Sequence, residues 1–340
     1  MPGPTMTEST GRKAIDLFVY LAQGGKTIEF TFTGGEPLLA FSTLEELTIY
    51  ADRQTNKAGM QPFFVLKTNG TILDRSIIDF LRVNRVKVVV SIDGNPSTHD
   101  RHRRTSSGLK THSIVCRNLL TLQQNDIQCV ASVTVHPDTC ELVGINVQYL
   151  HSLGCEHIDI GPVYGTAKWT TKDCHTLAQA LMHIASYIRE TRSKGFNIDV
   201  GPLYRDSEHV RGVLSDRWGC HAASTNLAFL PNGQVAGCSA LAMIVRQFPE
   251  LILGDIFSGL NQQAVDHMVS LAQTPEDKRP LCQGCDVARN CTGGCLAINL
   301  ATNRTALVPP ALYCTTIAAI PTAWHQAWAQ DDPNILITQK

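Results

Sequence analysis

Residues 27–39 read TIEFTFTGGEPLL. From 27 to 33 the residues alternate and are rich in β-formers, then break at Gly34-Gly35. Period-2 alternation ending at glycines is the signature of a strand running into a turn. A glycine pair lets backbone approach a ligand where a Cβ would obstruct it. Glu36 then places an anion at the strand end. Helical spacing of apolar residues flanks this segment at 11–22 and again at 43–58. Residues 62–67 (PFFVLK) predict a second strand, ending at Thr68-Asn69-Gly70, and 74–84 a helix. Val88, Val89, Val90 and Ile92 form the nearly continuous apolar run of a buried parallel strand, which stops at Asp93-Gly94-Asn95-Pro96.

The alternation continues. Helices are predicted at 112–124, 141–153 and 174–194, and strands at 127–135 and 156–160. Strands alternating with helices imply βα units and a parallel sheet. The glycine-rich and polar breaks fall after strands, at the edge where α/β folds bind ligands. The expected fold class is therefore α/β.

Composition sets the outer limits. The chain has 340 residues, 43% hydrophobic and 17% charged, with a net charge of -1. That balance suits one large or two ordinary globular domains. It implies no general affinity for nucleic acid. No apolar run of about 18 residues predicts a membrane span. MPGPTMTEST lacks the charged and apolar regions of a secretory signal. Twelve cysteines without such a signal point to the cytoplasm, where cysteine clusters more often serve metal or redox chemistry than disulfides.

Past about residue 205 the regular alternation ends. Short strands are suggested at 225–230 and 234–237 and a helix at 261–272. A dense run follows, Cys282, Cys285, Cys291 and Cys295, spaced C-x2-C-x5-C-x3-C, with Cys220 and Cys238 before it and Cys314 after it. Thiolates in this grouping are soft ligands for iron–sulfur clusters or zinc. Cys116, Cys129, Cys140, Cys155 and Cys174 fall singly in apolar or helical stretches and read as buried thiols.

Taken in order, Thr33-Gly34-Gly35-Glu36-Pro37, Lys67-Thr68-Asn69-Gly70, Ser91-Ile92-Asp93-Gly94 with His99-Asp100 and Arg103, and the seven C-terminal cysteines resemble a known family. It is the radical S-adenosylmethionine (SAM) family, in the branch with a SPASM auxiliary-cluster domain, similar to anaerobic sulfatase-maturating enzymes. The resemblance implies a partial (β/α)6 barrel over 1–205, a loop-rich SPASM iron–sulfur domain over 206–325 and a tail over 326–340. It implies that Gly34, Gly35 and Glu36 hold the ammonium of SAM, that Ser91 and Asp93 bind its ribose, and that Arg103 takes its carboxylate. Arg101, His102 and Arg104 would form a solvated basic loop. Two auxiliary [4Fe–4S] clusters would be held, one by Cys282, Cys285, Cys291 and Cys314, the other by Cys220, Cys238 and Cys295.

Three departures from the family pattern bear on function. Residues 211–219 carry no cysteine, where some relatives have one upstream of the first SPASM cysteine. The cluster at Cys220 is therefore expected to have an open iron site. Cys238 is followed by Ser239, where sulfatase-maturing relatives place an aspartate base. Other peptide modifications then fit better, and the catalytic residue is unassigned. No cysteine precedes Cys116, so the C-x3-C-x2-C motif of the radical-initiating cluster is expected to be missing, and with no strand-like segment before residue 11 the first barrel strand is expected to be missing too. Truncation is the favoured explanation; degeneration and a complementing polypeptide are the others. The chain as written is expected not to cleave SAM alone.

The function implied is hydrogen abstraction from a side chain of a peptide or protein substrate. Electrons would come from a donor such as flavodoxin or ferredoxin, with no nucleic-acid or membrane partner. A non-catalytic iron–sulfur protein for peptide binding or electron transfer is the alternative, and a zinc-stapled α/β enzyme a third.

Overall fold

Strands and helices alternate through the first two hundred residues because apolar positions recur at period 2 and then at helical spacing. The computed structural model describes residues 4–165, 167–205, 219–291 and 293–328. The expected boundary after residue 205, the cysteine-free segment 211–218 and positions 329–340 of the expected tail lie outside the described residues. The elements run α1 (Glu8–Leu21), β1 (Thr27–Phe32), α2 (Phe41–Lys57), β2 (Gln61–Thr68), α3 (Arg75–Val83), β3 (Lys87–Ser91), α4 (Pro96–His102), α5 (His112–Gln124), β4 (Cys129–Val135), α6 (Val143–Ser152), β5 (His157–Pro162), α7 (Thr171–Ser193) and β6 (Asp199–Gly201).

The six strands form one sheet in the order β1-β2-β3-β4-β5-β6. The pairs β1–β2, β2–β3, β4–β5 and β5–β6 are parallel. Val88 N–H donates to the Gln128 carbonyl at 2.9 Å and Ile92 N–H to Ser132 at 3.0 Å, tying β3 to the β4 segment. Spatial order equals chain order with no reversal. That is the winding of a barrel, not of a doubly wound sheet. β6 was not expected from the sequence: three residues ending at glycine carry too little pattern to announce a strand.

Packing divides the chain into two compact units. The first comprises Met1–Val90, Thr121–Cys129 and His221–Ala272. Its α1 starts earlier than the apolar spacing suggests because the Thr7 hydroxyl accepts from Thr10 N–H at 3.1 Å, an N-cap. Ala14, Ile15 and Val19 form its buried face. Gly11 lets α1 approach α2 closely, since a Cβ there would run into the Leu47 side chain. A second sheet belongs to this unit: β7 (Ala228–Phe229), β8 (Gln234–Ala236), β9 (Ile252–Asp255) and β10 (Gly259–Leu260), antiparallel in the order β10-β9-β8-β7. The short α8 (Ser239–Ala242) and α9 (Gln262–Ala272) accompany it. Phe18 of α1 meets Phe30 at 5.6 Å and Phe229 at 5.8 Å, both edge to face, joining the two sheets' apolar faces.

The second unit comprises Ser91–Leu120, Val130–Cys220 and Gln273–Lys340. It contains α10 (Ala288–Cys291), α11 (Leu296–Asn303) and α12 (Ala311–Trp328). α12 was unanticipated, and its Pro321 in the helix interior is one reason. Three contacts hold it. Trp324 Nε1 donates to the Tyr204 carbonyl at 2.9 Å, Trp328 Nε1 to Leu203 at 2.8 Å, and Gln326 Nε2 to Ser186 Oγ on α7 at 2.5 Å. Both indoles are almost wholly buried. Each removes roughly 150–250 Å² from water, about 4–6 kcal/mol before entropy is counted. Among the described residues no helix is long and apolar enough to cross a membrane.

Candidate functional site

In the first unit, chemistry gathers at the ends of β1 and β2. Gly34 has φ +148°, which a side chain would strain, and a Cβ on Gly34 or Gly35 would meet nothing within 4 Å. The backbone there borders open space. Glu36 caps the turn that follows: Oε1 accepts from Leu38 N–H at 3.1 Å and from the Thr68 hydroxyl at 2.9 Å, and Oε2 from Asn69 N–H at 2.7 Å. Its carboxylate thus clamps the ends of two strands, and Thr68 and Asn69 serve it directly. A carboxylate has about four acceptor positions. Three are used, and one remains on Oε2 of this half-buried group.

In the second unit, Ser91 ends β3 and Asp93 follows it at 2% exposure. Arg103 grips Asp93 with two parallel bonds, Nε to Oδ2 at 2.6 Å and NH2 to Oδ1 at 2.9 Å. Thr134 N–H adds a third bond to Oδ1 at 2.8 Å, and NH2 also reaches Thr134 Oγ1 at 3.1 Å. A forked guanidinium on a carboxylate is among the strongest polar pairs. The geometry makes Asp93 first a holder of Arg103. The NH1 side of Arg103 is what these bonds leave over.

His99 organises the same turn. Asp93 N–H donates to His99 Nδ1 at 3.3 Å, and His99 Nε2 lies 3.0 Å from Thr111 Oγ1. The Thr111 hydroxyl donates onward to the Arg103 carbonyl at 2.9 Å, so Nε2 carries the ring proton. Burial pushes the His99 pKa down to about 4, which keeps the ring neutral as this chain of bonds requires. Asp100 Oδ1 accepts from Thr111 and His112 N–H at 3.0 and 2.9 Å and caps α5. Asn146 Oδ1 accepts from Asn95 N–H at 3.1 Å. Asn146 gave no signal in the sequence, because only the tertiary fold brings α6 to this turn.

The basic run beside Arg103 is exposed and also bonded. Arg101 and His102 both reach Asp138, at 2.9 and 3.0 Å, and Arg104 donates to the Gly108 carbonyl at 3.1 Å. His102, His136 and Asp138 bring ligand atoms within 4.8 Å of one another. The two imidazoles stack with centroids 3.7 Å apart and planes 6° from parallel. Their in-plane lone pairs therefore do not converge on one ion.

The second unit also collects thiols. Cys282 is buried, Cys220, Cys291, Cys295 and Cys314 half-buried and Cys285 exposed. Burial pushes Cys314 up to about 11, with Cys291, Cys282 and Cys285 adding to the rise. Cys291 is raised by burial and then by Cys282 and Cys285. Cys282 and Cys285 thus lie near enough to both Cys291 and Cys314 for their charges to act on them. Tyr313 is raised by burial and by Cys291, Tyr164, Cys295 and Cys220, and Tyr164 by burial and Cys295. Cys220 and Cys295 thus both act on Tyr313, and Cys295 on Tyr164, two half-buried phenols. Cys238 lies in the first unit, where its Sγ accepts from Leu241 N–H at 3.4 Å at the start of α8. Cys140, Cys155 and Cys174 are buried, and Cys116 and Cys129 half-buried.

The donor set fits an iron–sulfur group. Soft sulfur ligands recur, and the raised pKa values of Cys282, Cys291 and Cys314 mean that binding a cationic centre there would release protons. Among the described residues no three of these sulfurs lie within 4.8 Å of one another. Four thiolates on one zinc, each at about 2.3 Å, would stand roughly 3.8 Å apart.

No protein-family model matches the chain. The chain is 26% identical over 292 residues to the serine-type anaerobic sulfatase-maturating enzyme of Klebsiella aerogenes, covering 83% of this chain and 70% of that one. It is 38% identical over 88 residues to the cysteine-type enzyme of Clostridium perfringens, 26% of this chain and 24% of that one. Among solved structures, native anSMEcpe with bound AdoMet superposes with TM-score 0.77 at 20% identity, covering 97% of this chain and 90% of that one. Streptococcus suis SuiB bound to the precursor peptide SuiA gives 0.62 at 14%, covering 89% and 69%. By sequence and fold together, the chain is a relative of the anaerobic sulfatase-maturating enzymes, radical SAM proteins of the peptide-maturase type that carry a SPASM domain.

Proposed function

We propose that this chain serves a maturase that modifies a side chain of a peptide or protein by hydrogen abstraction. One observation carries the reading: the charges of Cys282 and Cys285 act on both Cys291 and Cys314, in a chain 26% identical over 292 residues to a sulfatase-maturating enzyme. Residues 1–205 act as the SAM-binding core and 206–325 as the cluster domain. Cys282, Cys285, Cys291 and Cys314 hold one [4Fe–4S] cluster, and Cys220, Cys238 and Cys295 the other. When bound, the clusters supply one-electron transfer and SAM the hydrogen-abstracting group.

The chain's own residues have definable roles. Glu36 offers its remaining acceptor position to the SAM ammonium, and Gly34-Gly35 leave room for close approach. Ser91 offers a hydroxyl to the ribose. Asp93 orients Arg103, whose NH1 side meets the carboxylate. The setting is the cytoplasm, with flavodoxin or ferredoxin as donor. Because Ser239 stands where sulfatase maturases place an aspartate, the substrate is a peptide outside the sulfatases.

Anaerobic reconstitution followed by iron and sulfide counting tests the cluster reading. About eight irons per chain is expected for two clusters; a single zinc, or a folded and iron-free protein, sinks it. Supplying a segment with a C-x3-C-x2-C motif and assaying 5′-deoxyadenosine tests catalysis. Full iron with no deoxyadenosine would favour the electron-transfer or peptide-binding alternative.

A further inference from the structure

Arg279 is 1% exposed and ranks among the largest fully buried side chains. Its guanidinium lies in the thiol region of the second unit. Nε donates to the Thr274 carbonyl at 2.7 Å and NH1 to the Gly293 carbonyl at 2.9 Å. Gly293 belongs to the Gly293-Gly294 pair that links Cys291 to Cys295. A Cβ on Gly293 would stand 2.6 Å from the guanidinium carbon, so the cation lies directly against this loop. Cys282 N–H donates to the Arg279 carbonyl at 3.1 Å, which fixes the first thiol of the run to the same residue.

Among the described residues no carboxylate pairs with Arg279. Its two bonds are to neutral carbonyls. Taking a guanidinium out of water costs several kcal/mol unless an opposite charge compensates it. The groups whose charge acts on Arg279 are Cys282, Cys220 and Cys291, which counter the effect of its burial. As thiols they are neutral and compensate nothing. As cluster ligands they are anionic. Negative charge on these cysteines, as ligands of a bound group, would compensate the buried cation. Guanidinium stays protonated throughout the working range, so its charge is permanent.

We propose that Arg279 is the fixed internal cation that tunes the iron–sulfur centre, raising its reduction potential by stabilising the more negative reduced form. It is a positioning and tuning residue, since it acts through the cysteines and the Gly293 loop. The inference rests on the cluster reading above. It adds that charge, not only the hydrogen bonds to Thr274 and Gly293, is required at this position.

The test uses the full chain, reconstituted anaerobically, with iron counting and potentiometric titration followed by electron paramagnetic resonance. Native protein without iron would defeat the cluster reading itself, before any variant is compared. With native iron present, Arg279→Gln removes the charge and Arg279→Lys keeps it. Arg279→Gln is expected to hold iron but to shift the oxidised-to-reduced balance about tenfold toward oxidation, about 59 mV for one electron. Arg279→Lys should recover most of that shift. Equal potentials in native and both variants overturn the proposal. Should Arg279→Gln fail to load iron, Arg279→Lys decides: full loading by the lysine variant shows that the charge is needed, and failure of both assigns Arg279 a purely structural role.

Discussion

Replacing Arg103 by alanine strands a carboxylate that is 2% exposed. A buried charge left without its partner costs about 3–5 kcal/mol, which urea unfolding of Arg103→Ala should show. The double variant Asp93→Asn with Arg103→Met should recover part of that loss, because no lone charge remains. His99 makes a separate prediction. Its folded pKa is pushed down to about 4 by burial, against an unfolded value near 6.5. Between those values the unfolded chain holds a proton that the folded chain refuses. Stability from this group is complete above pH of about 6.5 and drains away as pH falls toward about 4, by up to about 3 kcal/mol. His99→Gln should flatten the urea midpoint across that window; an unchanged pH slope would remove His99 as the cause. The sequence marked His99 only as part of a motif. That it is the hinge of a bonded turn depends on Thr111 and Asp93 reaching both its nitrogens, and spacing does not reveal this.

At the scale of elements, α12 and β6 are among those the pattern does not announce. β6 has three residues and gains its identity from pairing with β5. α12 is anchored by the bonds from Trp324 and Trp328 to the carbonyls just beyond β6. Trp324→Ala is expected to cost about 3–5 kcal/mol, whereas Trp324→Phe, which keeps most of the area and loses the N–H, should cost nearer 1 kcal/mol. Equal losses in thermal or urea unfolding would show that the indole bond, not burial, holds the helix. Elements with strong periodicity were legible: helix 112–124 was read to the residue, and β1 to β5 were all anticipated. Boundaries moved where a cap decided them, as Thr7 does for α1.

On the whole-molecule scale, the two proposed clusters predict separable losses. Cys314→Ser removes a ligand from the set with Cys282, Cys285 and Cys291. Cys238→Ser removes one from the set with Cys220 and Cys295. Each is expected to lower the iron count from about eight toward about four, and the pair together toward zero. A single substitution that abolishes all iron would mean one shared centre. The packing units cut across chain order, because residues 221–272 join the N-terminal strands while residues from 273 onward join the later ones. No local signal reports such a division, since it follows from which apolar faces meet after folding.

The order of residues by itself determined the parallel βα alternation, the glycine and polar breaks at strand ends and the sevenfold cysteine spacing, because each is written in local periodicity and residue chemistry. Only the tertiary structure decided that Glu36 clamps two strand ends, that Asp93 is committed to Arg103, that the basic run is bonded, and that Arg279 lies buried beside the thiols. Those are properties of long-range contacts. A carboxylate or guanidinium has the same chemistry in every sequence, and its partners and its access to water exist only once the chain has folded around it.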